Sequence, residues 1–392
     1  MMLSMINNVN NKQKVAVLLD VSRAYDRDIL TGISDFNKIH DKFIFFFFSP
    51  QFIHAGHQHH LIERVKAWKP DGIITREIEG LDSLFRWKIP LIILPHTRPY
   101  EEQVNVWGDN YAVGDMAARY FIPKGYRNFA FLGFKDFKWS QEREVAYVKC
   151  VENAGYDVHS FYFDNTHLLW EDLPGKLAKW LSKLPRPCAV FSVTDELSTR
   201  LLEAAKTLGV RVPDDLSILG ADNDELICEL SSPTLSSINH SARQAGTQAA
   251  MALNRWIEYK ERPADIIAAK PAGIMARSST NAMAVDDEQV RTALHYISNA
   301  APVKDITVGD VVRTTTLSRR ALEKKFQLLL QSSILEEIKK VRVERIKYLL
   351  EHSTFTVQQI ACEMNFRNLD NITRYFREYA GVTPRMYKQQ CK

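Results

Sequence analysis

Several polar side chains stand where a repeating strand–helix chain can turn them toward one ligand. Arg143 follows the apolar run NFAFLGF, Asp195 follows AVFSVT, and Asp222 follows LSILGA; Tyr25 and Asp26 follow the first such run, KVAVLL. A carboxylate accepts from hydroxyls and a guanidinium donates to them, and charge-assisted bonds of this kind are the stronger ones. Vicinal hydroxyls, as a sugar carries them, suit such a set. Trp139 adds a ring that can lie against the apolar C–H face of a pyranose. Taken singly, Arg143, Asp195 or Asp222 can equally be a helix cap or one half of a structural ion pair. Paired acids in a cleft also serve glycoside hydrolysis, where their separation in space decides the chemistry. No Walker A, G-x-S-x-G, H-E-x-x-H or G-x-G-x-x-G pattern occurs. HAGHQHH gathers His54, His57, His59 and His60, but no cysteine or carboxylate partner is near in sequence. That stretch reads as a loop and helix start, and neither a metal nor a cofactor is expected.

The elements that must position these groups alternate from Lys14 to about Ser279. Strand-like runs (KVAVLL, FIFFFF, DGIITR, PLIIL, NFAFLGF, AVFSVT, LSILGA) are mostly separated by helical patterns, the first helix from about Asp28 to His40. Repeated β-α units imply parallel sheets with right-handed crossovers. The strands are too many for one sheet, so the expected fold is α/β with two doubly wound lobes. Ligands of such sheets bind beyond the carboxyl ends of the strands. FIFFFF suits a buried strand and is too short to span a bilayer.

RSSTNAMAVDDEQ is small, polar and aperiodic, and beyond it the chain reads as all helix. The expected division is a tail over 1–13, a two-lobed domain over 14–280, a linker over 281–289 and a helical domain over 290–392. The last contains a repeat: Leu322, Phe326 and Leu329 return fifty positions later as Ile372, Phe376 and Tyr379. Each copy pairs a short helix (about 308–313 and 357–364) with a turn and a longer amphipathic helix, which is helix-turn-helix twice. The second helix of such a motif enters the major groove. Phe326 and Phe376 then face the core. Arg319, Arg320, Glu323 and Lys324 face outward on one helix, and Asp370, Thr373 and Arg374 on the other. Arginine can bridge two acceptors on a guanine edge. Lys325 and Arg377 are placed to neutralise phosphates instead. Charge agrees: the chain carries +4 in total, with an excess of +5 after Val285 and −1 before it.

Of 392 residues, 45% are hydrophobic and 25% charged, which is ordinary for a globular protein with two or three domains. Five scattered cysteines without a C-x-x-C pair suit a reduced, cytoplasmic protein. MMLSMINNVNNKQK has no apolar core for a signal peptide, so neither export by that route nor membrane association is expected.

Two resemblances sharpen this. LSRRALEKKFQ, VRVERIKYLLEHSTFTVQQIA and NFRNLDNITRYFREYAGVTPRMY resemble the AraC-type DNA-binding domain, with Pro384 and Tyr387 at that family's closing P-x-x-Y. Its turns usually carry Gly. Here Asn365 replaces it at little cost, whereas Thr316 is β-branched and ill suited to positive φ. VNVWGDNYAVGDMAARYFIPKGYRNFAFLG and PCAVFSVTDELSTRLLEAAKTLGVRVPDDLSILGADND resemble the sugar-binding core of LacI-type regulators and periplasmic binding proteins. The first strand begins near Lys14, so the LacI-type N-terminal DNA-binding helices are not expected. The combination implies a sugar-responsive transcriptional regulator rather than an enzyme. Its effector would be an aldopentose, D-xylose before others, bound by Tyr25, Asp26, Asp109, Trp139, Arg143, Asp195 and Asp222, although Asp109 in WGDN can equally cap the next helix. The implied partners are operator double-stranded DNA, a second copy of the chain, and RNA polymerase if regulation is positive. A purine effector, or a carbohydrate-active enzyme whose helices serve assembly, are the rival readings.

Overall fold

A computed structural model describes residues 12–48, 58–163, 173–281, 287–352, 355–366 and 368–390. The chain forms two compact units, one within residues 1–280 and one that contains residues 281–392.

The first unit holds two six-stranded sheets. Sheet one grows from β1 (Gln13–Leu18), α1 (Ala24–His40), β2 (Phe43–Phe48), α2 (Gln58–Trp68), β3 (Gly72–Arg76), α3 (Leu81–Phe85), β4 (Leu91–Leu94) and β5 (Val104–Gly108). Sheet two grows from β6 (Asn128–Phe134), β7 (Val158–Phe163), β8 (Cys188–Ser192), β9 (Leu216–Ala221) and β10 (Ser236–His240). Between its strands run α4 (Asn110–Phe121), before β6, then α5 (Lys138–Asn153), α6 (Leu173–Leu181), α7 (Asp195–Thr207) and α8 (Glu225–Leu230). The chain then returns through α9 (Ala242–Tyr259) to β11 (Ile266–Ala269) in sheet one, and leaves again to β12 (Pro271–Met275) in sheet two. The strand orders are 11-5-4-3-1-2 and 12-10-9-8-6-7, parallel except where β12 runs against β10.

Both sheets are thus doubly wound, as the alternation of runs implies. Five strands escape that alternation: β5, β7, β10, β11 and β12. β10 is SSINH, whose serines give no apolar signal, yet Ser236 and Ser237 are fully buried. Their hydroxyls accept from the Arg277 and Asn223 backbone N–H groups, and Ser236 also donates to the Arg277 carbonyl. FIFFFF is a correction in the other direction: β2 lies at the edge of its sheet and Phe47 is half exposed.

Close helix packing sets the lobes. A Cβ on Gly32 would lie 1.9 Å from the Arg243 carbonyl oxygen, and one on Gly114 would lie 2.0 Å from that of Arg143. Backbone therefore meets backbone where α1 crosses α9 and where α4 crosses α5, which only glycine permits.

The second unit has two cores. The first joins α10 (Glu288–Ala300), α11 (Val308–Arg313) and α12 (Arg319–Leu330) through Val290, Ile297, Val311, Leu322 and Phe326. The long α13 (Ile334–His352) adds Ile334 and Ile338 to that core, then Val343, Ile346 and Leu350 to the next. The second core is closed by α14 (Val357–Glu363), α15 (Leu369–Ala380) and α16 (Pro384–Gln390). Thr307 and Thr356 form matching capping boxes, and Ser318 and Asn368 cap the long helices of the two motifs. Asn365 takes φ 58°, as its place in the turn implies. Thr316 does not adopt positive φ; its N–H and hydroxyl both bond to the Gln289 side chain, so the first turn closes without a left-handed residue there. Residues 282–286 of the expected linker lie outside the described residues, and α10 begins within it, at Glu288.

Candidate functional site

A cleft in the first unit is walled by the carboxyl ends of both sheets. From sheet one come Tyr25, Arg76, His96 and Trp107; from sheet two, Trp139, Arg143, Asp195, Glu196 and Asp222. Asn110, at the start of α4, joins them.

Arg143 is the hub. It lies in the second turn of α5, is nearly buried, and donates to Asn110 Oδ1 (3.1 Å) and the Val193 carbonyl (2.5 Å). Its Nη2 lies 3.3 Å from His240 Nε2 and 4.0 Å from Asp222 Oδ1. His240 Nε2 is also 3.3 Å from Asp222 Oδ1. A guanidinium only donates and a carboxylate only accepts, so one ring nitrogen can satisfy one of these neighbours at a time. Burial lowers the pKa of His240, which favours the neutral ring, and also lowers that of Arg143. Asp222 follows β9 directly with φ 103°, a conformation rarely taken outside glycine and a form of strain that gathers at functional sites.

Asp195 opens α7, which Thr194 caps. Its carboxyl is fully buried. Oδ2 accepts from the Asp224 N–H (2.8 Å) and the Cys228 thiol (3.5 Å). Burial, followed by the neighbouring Asp222, pushes its pKa well up. Gly220 makes room for this carboxyl, since a Cβ there would sit 2.3 Å from Oδ1.

The Tyr25 ring meets His240 edge-on, with the Arg76 guanidinium 5.8 Å from its centre. Trp139 donates to the His96 carbonyl (3.0 Å) and is stacked on Phe137, with the Arg143 guanidinium 5.0 Å from its centre. It is not the free platform that its position after a strand suggests. His96 is held neutral: burial, then Arg23 and Arg76, lower its pKa to about 4.

Two expected ligand groups stand behind the wall instead. Asp26 is fully buried, holds Arg76 through both oxygens and accepts the Asp20 N–H. It aims Arg76, which does line the cleft. Asp109 caps α4 by accepting from the Ala112 N–H (3.2 Å), and its neighbour Asn110 reaches the cleft. The residues missed by sequence reasoning are Arg76, His96, Asn110, Trp107, Glu196 and His240. Arg76 ends the recognised run DGIITR, so the strand-end rule could have found it; His240 ends the unrecognised β10. Across the cleft Arg27 of α1 bonds to Asp224 ahead of α8 (2.7 Å), which ties the lobes together. His54 and His57 lie outside the described residues, and His59 and His60 begin α2.

In the second unit, α12 and α15 each bury one side and expose the other. Leu322, Phe326, Ile372 and Phe376 are buried, whereas Arg319, Arg320, Lys324, Asp370 and Arg374 are exposed. Asp370, Thr373, Arg374 and Arg377 share one surface. Three groups are partly spent within the fold. Glu323 accepts from the Ile334 N–H at the start of α13 (3.4 Å). Lys325 pairs with Asp287, the cap of α10, so it is no free phosphate contact. The Thr373 hydroxyl donates to the Leu369 carbonyl (2.7 Å), leaving it only acceptor capacity.

Residues 118–280 match the periplasmic binding protein-like domain, and residues 311–390 match a helix-turn-helix domain. The chain is 28% identical to the xylose operon regulatory protein of Escherichia coli (strain K12), over 96% of this chain and 97% of that protein. The chain is a DNA-binding transcriptional regulator. The regulator is also 27% identical to the xylose operon regulatory protein of Haemophilus influenzae, over 96% of this chain and 98% of that one. A solved structure described as the xylose-binding transcription activator xylR superposes with a TM-score of 0.70 at 26% identity, covering 97% of this chain and 98% of the other. These relatives are regulators rather than enzymes, and the regulator follows them in both architecture and order of domains.

Proposed function

We propose that the regulator senses an aldopentose, D-xylose before others, in the cleft around Arg143, and activates genes of pentose catabolism. The observation that carries the ligand class is the Arg143–His240–Asp222 contact in the cleft, with the buried Asp195 carboxyl behind it. Arg143 can donate and the partly exposed Asp222 carboxylate can accept at close range, the complement of adjacent sugar hydroxyls. The relatives named for xylose supply the choice among sugars. Tyr25, Trp139 and the neutral His96 flank the ring, and Asp26 acts through Arg76. Binding shifts the DNA-binding state only as far as the sugar prefers one arrangement of the lobes.

The regulator works in the cytoplasm as a homodimer on operator DNA, in contact with RNA polymerase. Leu226 and Leu230 on α8 are 70% and 86% exposed, and Leu230 shares a surface with Arg200, Glu203 and Lys206 of α7. An exposed apolar pair with charges of both signs near one member suits a second copy related by a two-fold axis. Titration calorimetry against D-xylose, L-arabinose, D-ribose, D-glucose and hypoxanthine tests the effector. Binding of D-xylose well above the others is the expected result. Binding of hypoxanthine alone would replace the sugar by a purine.

A further inference from the structure

We propose that Arg342 is a positioning residue that locks the two helix-turn-helix motifs into one rigid reader and so sets the spacing between the two DNA elements it accepts. The motifs have separate apolar cores, and α13 passes from one to the other. Arg342 lies at that passage, after Ile338 of the first core and before Val343 of the second, and is only 3% exposed. Its Nη1 donates to the Lys304 carbonyl between α10 and α11, and its Nη2 to the Met364 carbonyl in the turn of the second motif, both at 2.8 Å. Asp305 lies 3.5 Å from Nη1, and the Phe366 ring lies under the guanidinium at 4.8 Å. Nearby, Asn365 Nδ2 reaches the Val303 carbonyl at 3.5 Å, again from the second motif to the first.

A guanidinium is planar with its donors in a fixed fork, so two carbonyls held by its two ends are fixed in angle as well as distance. Apolar contact through α13 alone would allow the motifs to pivot. If α12 and α15 read separate stretches of the duplex, a rigid pair accepts one spacing. Each added base pair moves the second element about 3.4 Å along the axis and about a tenth of a turn around it.

Selection by the full chain from a random-sequence duplex library tests this and recovers the DNA elements in the same step. The wild-type chain is expected to recover, within each half-site bound by one copy, two elements at one spacing. Arg342→Met keeps the length and the contact with Phe366 but loses both carbonyl bonds. It should recover the same two elements spread over one or two extra or missing base pairs, and bind the wild-type spacing about tenfold more weakly as the second contact loses effective concentration. Asn365→Gly keeps the left-handed backbone, loses the Val303 bond, and should broaden the spacing less; it decides the matter if Arg342→Met does not fold by circular dichroism. A single sharp spacing from a folded variant, or a one-element motif from the wild-type chain, overturns the proposal.

Discussion

Arg143 shows how one side chain draws a site together. Its donors reach Asn110, Val193 and His240, so three elements of the second lobe meet at one guanidinium. Asp222 is the partly exposed acid of that group, 22% open at its side chain, and so the one able to meet a ligand directly. Asp222→Ala is therefore expected to weaken sugar binding by about 1–3 kcal/mol, roughly 5- to 150-fold, by leaving ligand hydroxyls unmatched. DNA binding without sugar should persist. Calorimetry with D-xylose and a gel shift without it check the two halves, and an unchanged sugar affinity would remove Asp222 from the site. Arg143, Asp195 and Asp222 were legible because each follows a recognisable strand. Asp26 and Asp109 follow the same rule and still end behind the wall. Their neighbours decide this: Arg76 occupies both oxygens of one, and a helix N-terminus occupies the other.

At the scale of elements, the α4–α5 crossing carries the cleft. Gly114 lets α4 approach until its backbone meets that of α5 at Arg143 itself. Gly114→Ala forces the helices apart at the hub residue. It should cost about 1–3 kcal/mol of stability, the range for overpacking, and lower sugar affinity as Arg143 shifts. Urea unfolding followed by calorimetry measures both, and no change in either would mean that the crossing yields easily. Seven of the strands could be read from their apolar runs, β1 to β4, β6, β8 and β9. β10 could not, because its buried serines owe their place to pairing with β9 and β12 rather than to apolar composition.

For the whole molecule, the basic excess of the last quarter and the two exposed helix faces predict a strong salt dependence on DNA. The slope of log K against log salt should be steep, close to −0.9 for each phosphate neutralised. Arg320→Ala and Arg374→Ala should each weaken specific binding by about 1–3 kcal/mol while leaving sugar affinity intact. A flat salt plot, or unaltered operator affinity in both variants, would show that α12 and α15 do not read the duplex. Fold class, the order of the two domains and the paired helix-turn-helix motifs follow from the sequence alone, because apolar periodicity and chain order are local properties. The tertiary structure alone decided which polar groups remain available. Lys325 and Asp287, Arg76 and Asp26, and Arg342 and Met364 lie tens of residues apart in the chain, and a side chain's partner is set by distance in space.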